Sequence, residues 1–286
     1  VRAGVAVHAD DTPVPVLAPG LGRTKTGRLW VVLRDERPWS STAPPAAFYR
    51  YSPDRKGEHA QALLASVSGF LHADAYAGFD KLYQPDPITG RPRLEPVACW
   101  AHARRELFDE HARTKSPIAR QALDKIGAIF AVEREINGRS AEARLAVRQA
   151  QSAPLLAELK NYLETSLGKI SRKGDLARAI RYSLHRWEAL CRFTEDGRLE
   201  MTNNAAERAI RPLTLGRRNW TFLGSDSGGE RAAVFYTLIQ TCKLNAINPE
   251  AYLADLIGRV GDHPAHRIDE LLPWNWHSRS DARLAA

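Results

Sequence analysis

Two separate apolar runs of this 286-residue chain end in the same triplet, His-Ala-Asp. The first run, "VAVHAD", ends at Asp10, and the second, "FLHAD", ends at Asp74. Side chains alternate between the two faces of a β-strand, so His8 lies on the face of Asp10 and His72 on the face of Asp74. If the two strands are neighbours in one sheet, the two carboxylates emerge side by side.

Two neighbouring carboxylates repel each other, and burial adds a desolvation cost for each. A divalent cation between them removes that conflict, and ligation by oxygen alone is what Mg²⁺ or Mn²⁺ prefers. The alternative is that Asp10 and Asp74 are ordinary turn residues at strand ends, a position that Asp favours. The repetition of the triplet leaves both interpretations open.

A third acid, Glu207, follows two asparagines in "MTNNAAERAIRP". Asn203 or Asn204 suits a helix N-cap, which places Glu207 one turn inside the helix. Asn203, Glu207 and Arg211 share one face, and the neighbouring face carries an apolar stripe: Ala206, Ile210 and Leu213. The alternative for Glu207 is a surface ion pair with Arg211, four residues later.

The elements that must position these acids begin with short apolar runs at residues 5–17, 28–34 and 46–51. Turns rich in proline and glycine separate them, which predicts strands joined as hairpins. "KGEHAQALLASVS" has helical spacing, and "GFLHADAY" predicts a further strand. Three strands, a helix and a strand indicate an α/β or α+β beginning.

Helical periodicity then dominates from "PVACWAHARRELFDEH" to about residue 195, which predicts a long helical block. "GRLEMTNNAAERAIRPL" predicts a turn and a short helix, and "GGERAAVFYTLIQTCKLN" an apolar helix. One or two short helices are expected in the tail. No stretch approaches the roughly 18 consecutive apolar residues of a membrane span, so we expect no membrane partner.

The formal net charge of +8 suits a polyanionic partner, although many proteins share such a charge. Its distribution is more informative, because "RAIRPLTLGRRNW" concentrates four arginines and a tryptophan. These residues are candidates for phosphate contact and base stacking: Arg208, Arg211, Arg217, Arg218 and Trp220. The alternative for each of the arginines is a solvated surface position.

Three isolated cysteines, Cys99, Cys191 and Cys242, form no Cys-x-x-Cys pair. We interpret them as buried thiols of a reducing compartment and not as a disulfide framework or a zinc site. A cytoplasmic, nucleoid-associated location is expected. The only methionine is Met201, so we expect the chain to be the C-terminal part of a longer protein.

Several stretches closely resemble the transposases of the IS66 family of bacterial insertion sequences. They include "HADDTPVPVLAPGLGRTKTGRLWVVLRDERPW", "YSPDRKGEH", "LHADAYAGFDKLY", "CWAHARRELFDEH", "TNNAAERAIRPLTLGRRNWTFLGSDSGGERAAVFYTLIQTCKLN" and "NPEAYLADLIGRVGDHPAHRIDELLPWNW". The resemblance covers nearly the whole chain and keeps the order of the motifs. It implies an α/β fold with a ribonuclease-H-like core, a mixed sheet with flanking helices, interrupted by a large all-helical insertion.

The resemblance also implies four parts of the chain. Residues 1–97 would form the first part of the catalytic core and residues 98–200 the helical insertion. Residues 201–245 would return to the core with the helix that carries the glutamate. Residues 246–286 would form a helical tail. Family members also resemble one another in an N-terminal DNA-binding region, commonly with a cysteine-rich zinc module, and the sequence of this chain contains no such region.

Matched to the family position by position, the catalytic acids of a DDE transposase are Asp10, Asp74 and Glu207. They would hold two Mg²⁺ or Mn²⁺ ions. Family members often have Asp-Glu where this chain has Asp10-Asp11, so Asp11 is a rival; strand alternation favours Asp10. Asp35 is a weaker rival. His102, in the family motif "CWAHARRELF", is interpreted as a packed helix residue.

The implied activity is metal-dependent cleavage and strand transfer of DNA at insertion-sequence ends. Implied partners are transposon ends and target DNA, further copies of the chain on that DNA, and accessory proteins of the same element. Two alternatives remain: a catalytically inactive DNA-binding protein derived from a transposase, and a structure-selective nuclease on a ribonuclease-H-like fold.

Overall fold

The computed structural model describes residue 1 and residues 4–276, and a five-stranded mixed sheet lies at its centre. The strands are β1 (Ala6–Ala18), β2 (Arg23–Arg34), β3 (Ala46–Ser52), β4 (Gly69–Ala73) and β5 (Leu94–Ala98). Their order in the sheet is β3-β2-β1-β4-β5. β2 pairs antiparallel with β1 and β3, whereas β4 pairs parallel with β1 and β5. The predicted mixed α/β class is confirmed.

The long β1–β2 hairpin follows from its sequence. Its turn contains Gly20 and Gly22, whose φ angles of 84° and 61° lie in the left-handed region that glycine adopts without steric cost. Apolar side chains on alternate positions of β1, such as Val14 and Val16, are fully buried. The four strands that the sequence predicts are therefore present, with ends shifted by a few residues.

The sequence pattern does not predict the fifth strand, because "PVACWAHARRELFDEH" has the periodicity of a helix from its start. In the structure β5 continues to Ala98, and the helix begins only at Trp100. Pro96 has no N–H for a sheet ladder, which argues against a strand in sequence reasoning. β5 lies at the edge of the sheet, where one side needs no partner, so the proline is tolerated.

Ten α-helices surround the sheet in the described part of the chain. Seven precede the segment with Glu207: α1 (Gly57–Leu63), α2 (Trp100–Thr114), α3 (Pro117–Ile136), α4 (Ala141–Val147), α5 (Ala153–Leu167), α6 (Asp175–His185) and α7 (Trp187–Cys191). Three follow: α8 (Asn204–Trp220), α9 (Asp226–Leu244) and α10 (Pro249–Arg259). A π-helical turn, Arg148–Ser152, joins α4 to α5. None of these helices is long and apolar enough to cross a membrane.

Helix α8 is longer than the short helix that the sequence predicts, because it continues past Pro212 to Trp220. Its buried residues are Ala206, Ile210 and Leu213, so the predicted apolar stripe is confirmed. This stripe packs with β1–β3 and α9 in one hydrophobic core, which also contains Tyr49. The packing fixes α8, and with it Glu207, against the sheet.

Two further cores complete the fold. One lies between the strands and α1, where Val7, Leu71 and Leu64 pack together. The other, larger core joins the helices between β5 and α8 around Trp100 and Phe193, and it also takes in Val97 of β5. The helical block is therefore packed onto the sheet through β5 and the start of α2.

Candidate active site

The two His-Ala-Asp triplets lie on neighbouring parallel strands. Because side chains alternate between the faces of a strand, the acids of the two triplets come out on the same side. His8 of β1 is directly opposite His72 of β4, and the two rings stack with centroids 4.2 Å apart. Burial lowers the pKa of His8 to about 4 and holds the pKa of His72 well below its ordinary range. Both imidazoles are therefore neutral at pH 7.

Asp10 follows on the same strand, two residues after His8. Its Oδ1 accepts a hydrogen bond from the backbone N–H of Asp11 at 2.8 Å. Burial raises the pKa of Asp10 to about 7, and the negative charges of Asp74, Asp11 and Glu207 act in the same direction, against the effect of that hydrogen bond. Because the charges of Asp74 and Glu207 both act on Asp10, the three predicted acids lie near one another.

Asp11 has a different environment, because the next residue of a strand points to the other face. Its side chain is 2% exposed and bonded to Arg28 (3.0 Å) and Arg55 (2.8 Å). Asp35, the other rival, accepts two bonds of 2.7 Å from the guanidinium of Arg37. Both rivals are thus neutralised by arginines, which leaves Asp10 as the acid of β1 without a cationic partner within 4 Å among the described residues.

Asp74 comes directly after the last residue of β4. Its Oδ1 accepts a hydrogen bond from the backbone N–H of Tyr76 at 3.2 Å, so it also forms the turn that the alternative interpretation proposed. Its Oδ2 lies 3.8 Å from Nη2 of Arg55. Arg55 therefore bridges Asp11 and Asp74, and it stacks over the ring of Tyr76. Sequence reasoning assigned Arg55 no role, because a lone loop arginine has no periodic signal.

Glu207 lies in the first turn of α8, and its Oε1 is buried without a hydrogen-bond partner among the described residues. No ion pair joins it to Arg211 within that part of the chain, so the surface-pair alternative is wrong. The basic atom that approaches it is Nε2 of His102, 3.7 Å from Oε1. His102 is half-buried and faces the acid, so interpreting it only as a packed helix residue missed this contact.

Asn203 holds the start of α8 in a way that its predicted capping role does not describe. It occupies the N-cap, yet its side chain makes no capping hydrogen bond. Instead its Nδ2 donates to the carbonyl of Ala9 at 2.9 Å, and its Oδ1 lies 3.1 Å from Nδ1 of His8. The side chain is buried, so α8 is anchored directly to the strand that carries Asp10.

Asp10 and Glu207 line one cleft of about 1040 Å³. Arginines from three helices line the same cleft: Arg104 and Arg105 of α2, Arg134 of α3, and Arg208 and Arg211 of α8. Asp74 lines a second, adjacent cavity of about 560 Å³ instead, together with Cys99. The acids therefore lie where a strongly cationic cleft meets a second cavity, a surface suited to a phosphate backbone.

Sequence reasoning found only part of this cationic lining. Arg208 and Arg211 face the cleft, but Nη1 of Arg217 bonds to Thr12 and to the carbonyl of Pro13. Arg218 is exposed. Trp220 packs against the core of β1–β3, α8 and α9 and is half-buried, and its stacking role stays a prediction.

The remaining arginines of the cleft, Arg104, Arg105 and Arg134, were missed. They lie some 70 to 100 residues before α8 and reach the cleft only through the fold. No local pattern therefore links them to Glu207.

Comparison with known proteins places the chain in a family. Two proteins of Sinorhizobium fredii (strain NBRC 101917 / NGR234) are similar along almost its whole length. The uncharacterized protein y4hP is 44% identical over 299 residues, which cover 99% of this chain and 53% of y4hP. The uncharacterized protein y4qI is 40% identical over 278 residues, which cover 96% of this chain and 52% of y4qI. The chain spans about half the length of these curated relatives.

Two family models match consecutive parts of the chain. The model described as "Transposase IS66 family" matches residues 1–231, and the model described as "IS66 C-terminal element" matches residues 237–274. The first alone covers well over half of the chain and contains Asp10, Asp74 and Glu207. The resemblance noted from the sequence motifs is confirmed, and the chain belongs to the IS66 family of transposases.

Proposed function

We propose that this chain is the catalytic part of a metal-dependent DNA transposase of the DDE type, with Asp10, Asp74 and Glu207 as its acids. One observation carries the proposal. Asp10 and Glu207 line one arginine-rich cleft, and the charges of Asp74 and Glu207 both raise the pKa of Asp10. A turn role at a strand end does not explain why Asp10 shares a cationic cleft with a half-buried glutamate from a distant helix.

The sheet order β3-β2-β1-β4-β5 supports a ribonuclease-H-like core. In that fold the first acid lies on the first strand, the second on the fourth strand, and the glutamate on a later helix. Here Asp10 lies on β1, Asp74 directly follows β4, and Glu207 lies on α8, a placement that supports the proposal. The helices between β5 and α8 correspond to the proposed insertion of residues 98–200.

The donor set fits Mg²⁺ or Mn²⁺. Carboxylate oxygens are the ligands these cations prefer, Oε1 of Glu207 has no hydrogen-bond partner among the described residues, and the acid cluster disfavours the charge of Asp10. Asp10, Asp74 and Glu207 would together hold two ions. When bound, such a pair activates a nucleophilic oxygen and stabilises the leaving oxygen of a phosphodiester.

The chain's own residues would bind and orient the DNA. The five cleft arginines neutralise backbone phosphates, and Arg208 and Arg211 do so beside Glu207. Asn203 and His8 keep α8 at a fixed distance from β1. Cleavage would leave a free 3′-hydroxyl at the element end, and joining would be attack of that hydroxyl on a target phosphodiester. We also propose that copies of the chain assemble on DNA, that accessory proteins of the same element take part, and that the protein acts in the cytoplasm.

The proposal is tested by incubating the protein with Mg²⁺, a labelled transposon end and target DNA. Cleavage and joining are expected for the unmodified protein and for Asp124→Asn, an exposed acid of α3, and loss of both for Asp74→Asn. Cleavage without joining would replace the transposase with a structure-selective nuclease. DNA binding without cleavage by any variant would leave a non-catalytic DNA-binding protein.

The DNA surface has its own test. Arg211→Ala, in the cleft, should weaken binding of the labelled end. It should also reduce the slope of log binding constant against log salt concentration by about 1, the value for one lost phosphate contact. Arg120→Ala, on an exposed part of α3, is the matched control and should leave binding unchanged. Equal effects of the two substitutions would contradict the assignment of the cleft as the DNA site.

A further inference from the structure

A thiol, an imidazole and a carboxylate meet beside the acid cluster. Ligand atoms of Cys99, His102 and Glu207 all lie within 4.8 Å of one another. Cys99 is the N-cap of α2, His102 lies in the first turn of α2, and Glu207 lies in the first turn of α8. The cluster therefore forms where the N-termini of two helices converge, far apart in sequence.

Backbone hydrogen bonds hold the two helix starts together. The N–H of Trp100 donates to the carbonyl of Met201 at 3.1 Å, and the N–H of Asn203 donates to Sγ of Cys99 at 3.2 Å. Burial raises the pKa of the Cys99 thiol, and the N–H groups that donate to its sulfur act against that effect. The three side chains are thus positioned by the fold itself, before any ligand arrives.

Two polar atoms of the cluster have no partner among the described residues. Nδ1 of His102 and Oε1 of Glu207 are both buried and form no hydrogen bond there. A buried polar group without a partner carries a free-energy cost, so such groups in native proteins usually have a bound water or ion. Oε1 of Glu207 is such an atom, and it lies 3.7 Å from Nε2 of His102 within a cluster of ligand-type side chains, which points to a bound cation.

We propose that Cys99, His102 and Glu207 form a binding site for Zn²⁺, with the fourth position open towards the cleft. Sulfur, nitrogen and oxygen ligands together are a set that Zn²⁺ accepts and that the harder Mg²⁺ does not favour. The Cys99 thiol loses its proton to solvent as the Zn–S bond forms. This site goes beyond the proposed oxygen-ligated metal pair and shares only Glu207 with it.

The local sequence conceals this site. Sequence reasoning treats Cys99 as a plain buried thiol because the three cysteines are isolated and form no Cys-x-x-Cys pair. The third ligand, Glu207, comes from another helix. Because Glu207 belongs to both sets, occupancy of the zinc site would compete with its role in the proposed oxygen-ligated pair.

The site is tested with Co²⁺, a spectroscopic substitute for Zn²⁺, added to the metal-free protein without DNA. We expect one ion to bind per chain, with a thiolate-to-cobalt charge-transfer absorption in the near ultraviolet. Zn²⁺ should abolish the absorption and excess Mg²⁺ should not. Cys99→Ser should lose the band, whereas Cys191→Ser and Cys242→Ser, which alter the other two thiols, should keep it.

His102→Ala gives a second measurement that does not alter a buried thiol. It should weaken Co²⁺ binding by at least about tenfold, and far-ultraviolet circular dichroism should show that each variant is folded. A band that persists in Cys99→Ser, or unmodified protein without a band, would overturn the proposal. Asp74→Asn should keep the band although it cleaves no DNA. Unmodified protein that binds Co²⁺ but cleaves no DNA would refute the proposed function and leave this site intact.

Discussion

Two networks of buried polar side chains hold the segment that leads into α8, and they differ in charge. On the sheet side, the imidazole network consists of His8, His72 and Asn203, and all its members are neutral at pH 7. On the helical side, the ionic network consists of two arginines and two glutamates: Arg144, Arg148, Glu133 and Glu200. Both networks reach the same segment, residues 193–203.

The ionic network tolerates full charges because each cation has several partners. Arg148 is completely buried, forms bonds of 2.8 and 2.7 Å to Glu133, and donates to the carbonyls of Phe193 and Asp196. Arg144 bonds to Glu200, whose backbone N–H in turn donates to Nε2 of His72. Glu200 therefore connects the two networks.

The contrast shows how burial keeps two imidazoles beside the candidate site uncharged. A protonated imidazole at His8 or His72 would stand two residues from Asp10 or Asp74 and would partly neutralise the acids. Burial keeps both rings uncharged, so the negative charge of the acid cluster stays available for cations from solution. In the ionic network, by contrast, the charges of Arg144 and Arg148 are balanced by Glu133 and Glu200.

The largest expected effect comes from breaking the ionic network. Arg148→Met should lower the free energy of unfolding by roughly 3–5 kcal/mol, because it leaves Glu133 buried without its main cation. Urea denaturation measures the change. Arg178→Met is the control: this arginine is 65% exposed in its pair with Glu106, so the loss should stay below about 1 kcal/mol. Similar losses for both would remove the distinction between the ionic network and a surface pair.

The imidazole network should respond to acid. A buried His8 with a pKa of about 4, against an ordinary 6.5, favours the folded state above pH 6.5 and loses that stability as the pH falls through 4. The raised pKa of Asp10 has the opposite effect: its contribution to the stability of the folded state is lost as the pH rises towards 7. The effect of the histidines should therefore be measured in an Asp10→Asn background.

In that background the free energy of unfolding should fall by roughly 2–3 kcal/mol from His8 alone between about pH 7.5 and pH 4.5. His72 should increase the loss. Adding His8→Asn should reduce the dependence to the part that His72 contributes, whereas His266→Gln, at an exposed position, should leave it unchanged. A flat profile in the Asp10→Asn protein would contradict a neutral, buried His8.

A smaller effect is expected from Asn203→Ala. The substitution leaves Nδ1 of His8 and the carbonyl of Ala9 without their partner, which should cost about 1–3 kcal/mol in unfolding free energy. Asn204→Ala changes the next residue, which is only half-buried, and should cost under about 0.5 kcal/mol. Equal losses would mean that the buried contacts of Asn203 do not hold α8 to β1.

The smallest effect concerns salt. A double-mutant cycle on the exposed pair Arg120–Asp124 of α3 should give a coupling of about 0.3–0.5 kcal/mol that disappears at about 1 M salt. The same cycle on Arg148 and Glu133 should keep most of its coupling, because water and ions do not reach Arg148. Loss of both couplings in salt would show that the ionic network is open to solvent.

Periodicity predicted the elements whose apolar residues alternate or recur regularly. The first four strands and the stripe Ala206, Ile210 and Leu213 belong to this class. Periodicity did not predict β5, a five-residue edge strand that contains Pro96. A run this short shows little pattern, and proline lacks the N–H that a sheet hydrogen-bond ladder needs. The predicted length of α8 was also wrong: the sequence predicted a short helix, but α8 continues past Pro212 to Trp220.

For the candidate site, strand alternation predicted that Asp10 and Asp11 point to different faces of β1, and their surroundings do differ. Asp11 pairs with two arginines, and Asp10 does not. The capping pattern located the start of α8. It did not predict that the side chain of Asn203 donates a hydrogen bond to Ala9 of β1 instead of capping the helix. The assignment of the three acids as catalytic stays a prediction until cleavage is measured.

The sequence by itself determined which residues lie on each face of a strand or helix, because steric alternation is a property of the local backbone. It therefore decided that His8 accompanies Asp10 and that Glu207 begins a helix. Only the tertiary structure decided that Glu207 meets His102 and Cys99, that Asn203 binds His8, and which arginines line the cleft. Those contacts join residues about 70 to 200 positions apart, and they depend on how α2 and α8 pack at the ends of the strands, which no local pattern records.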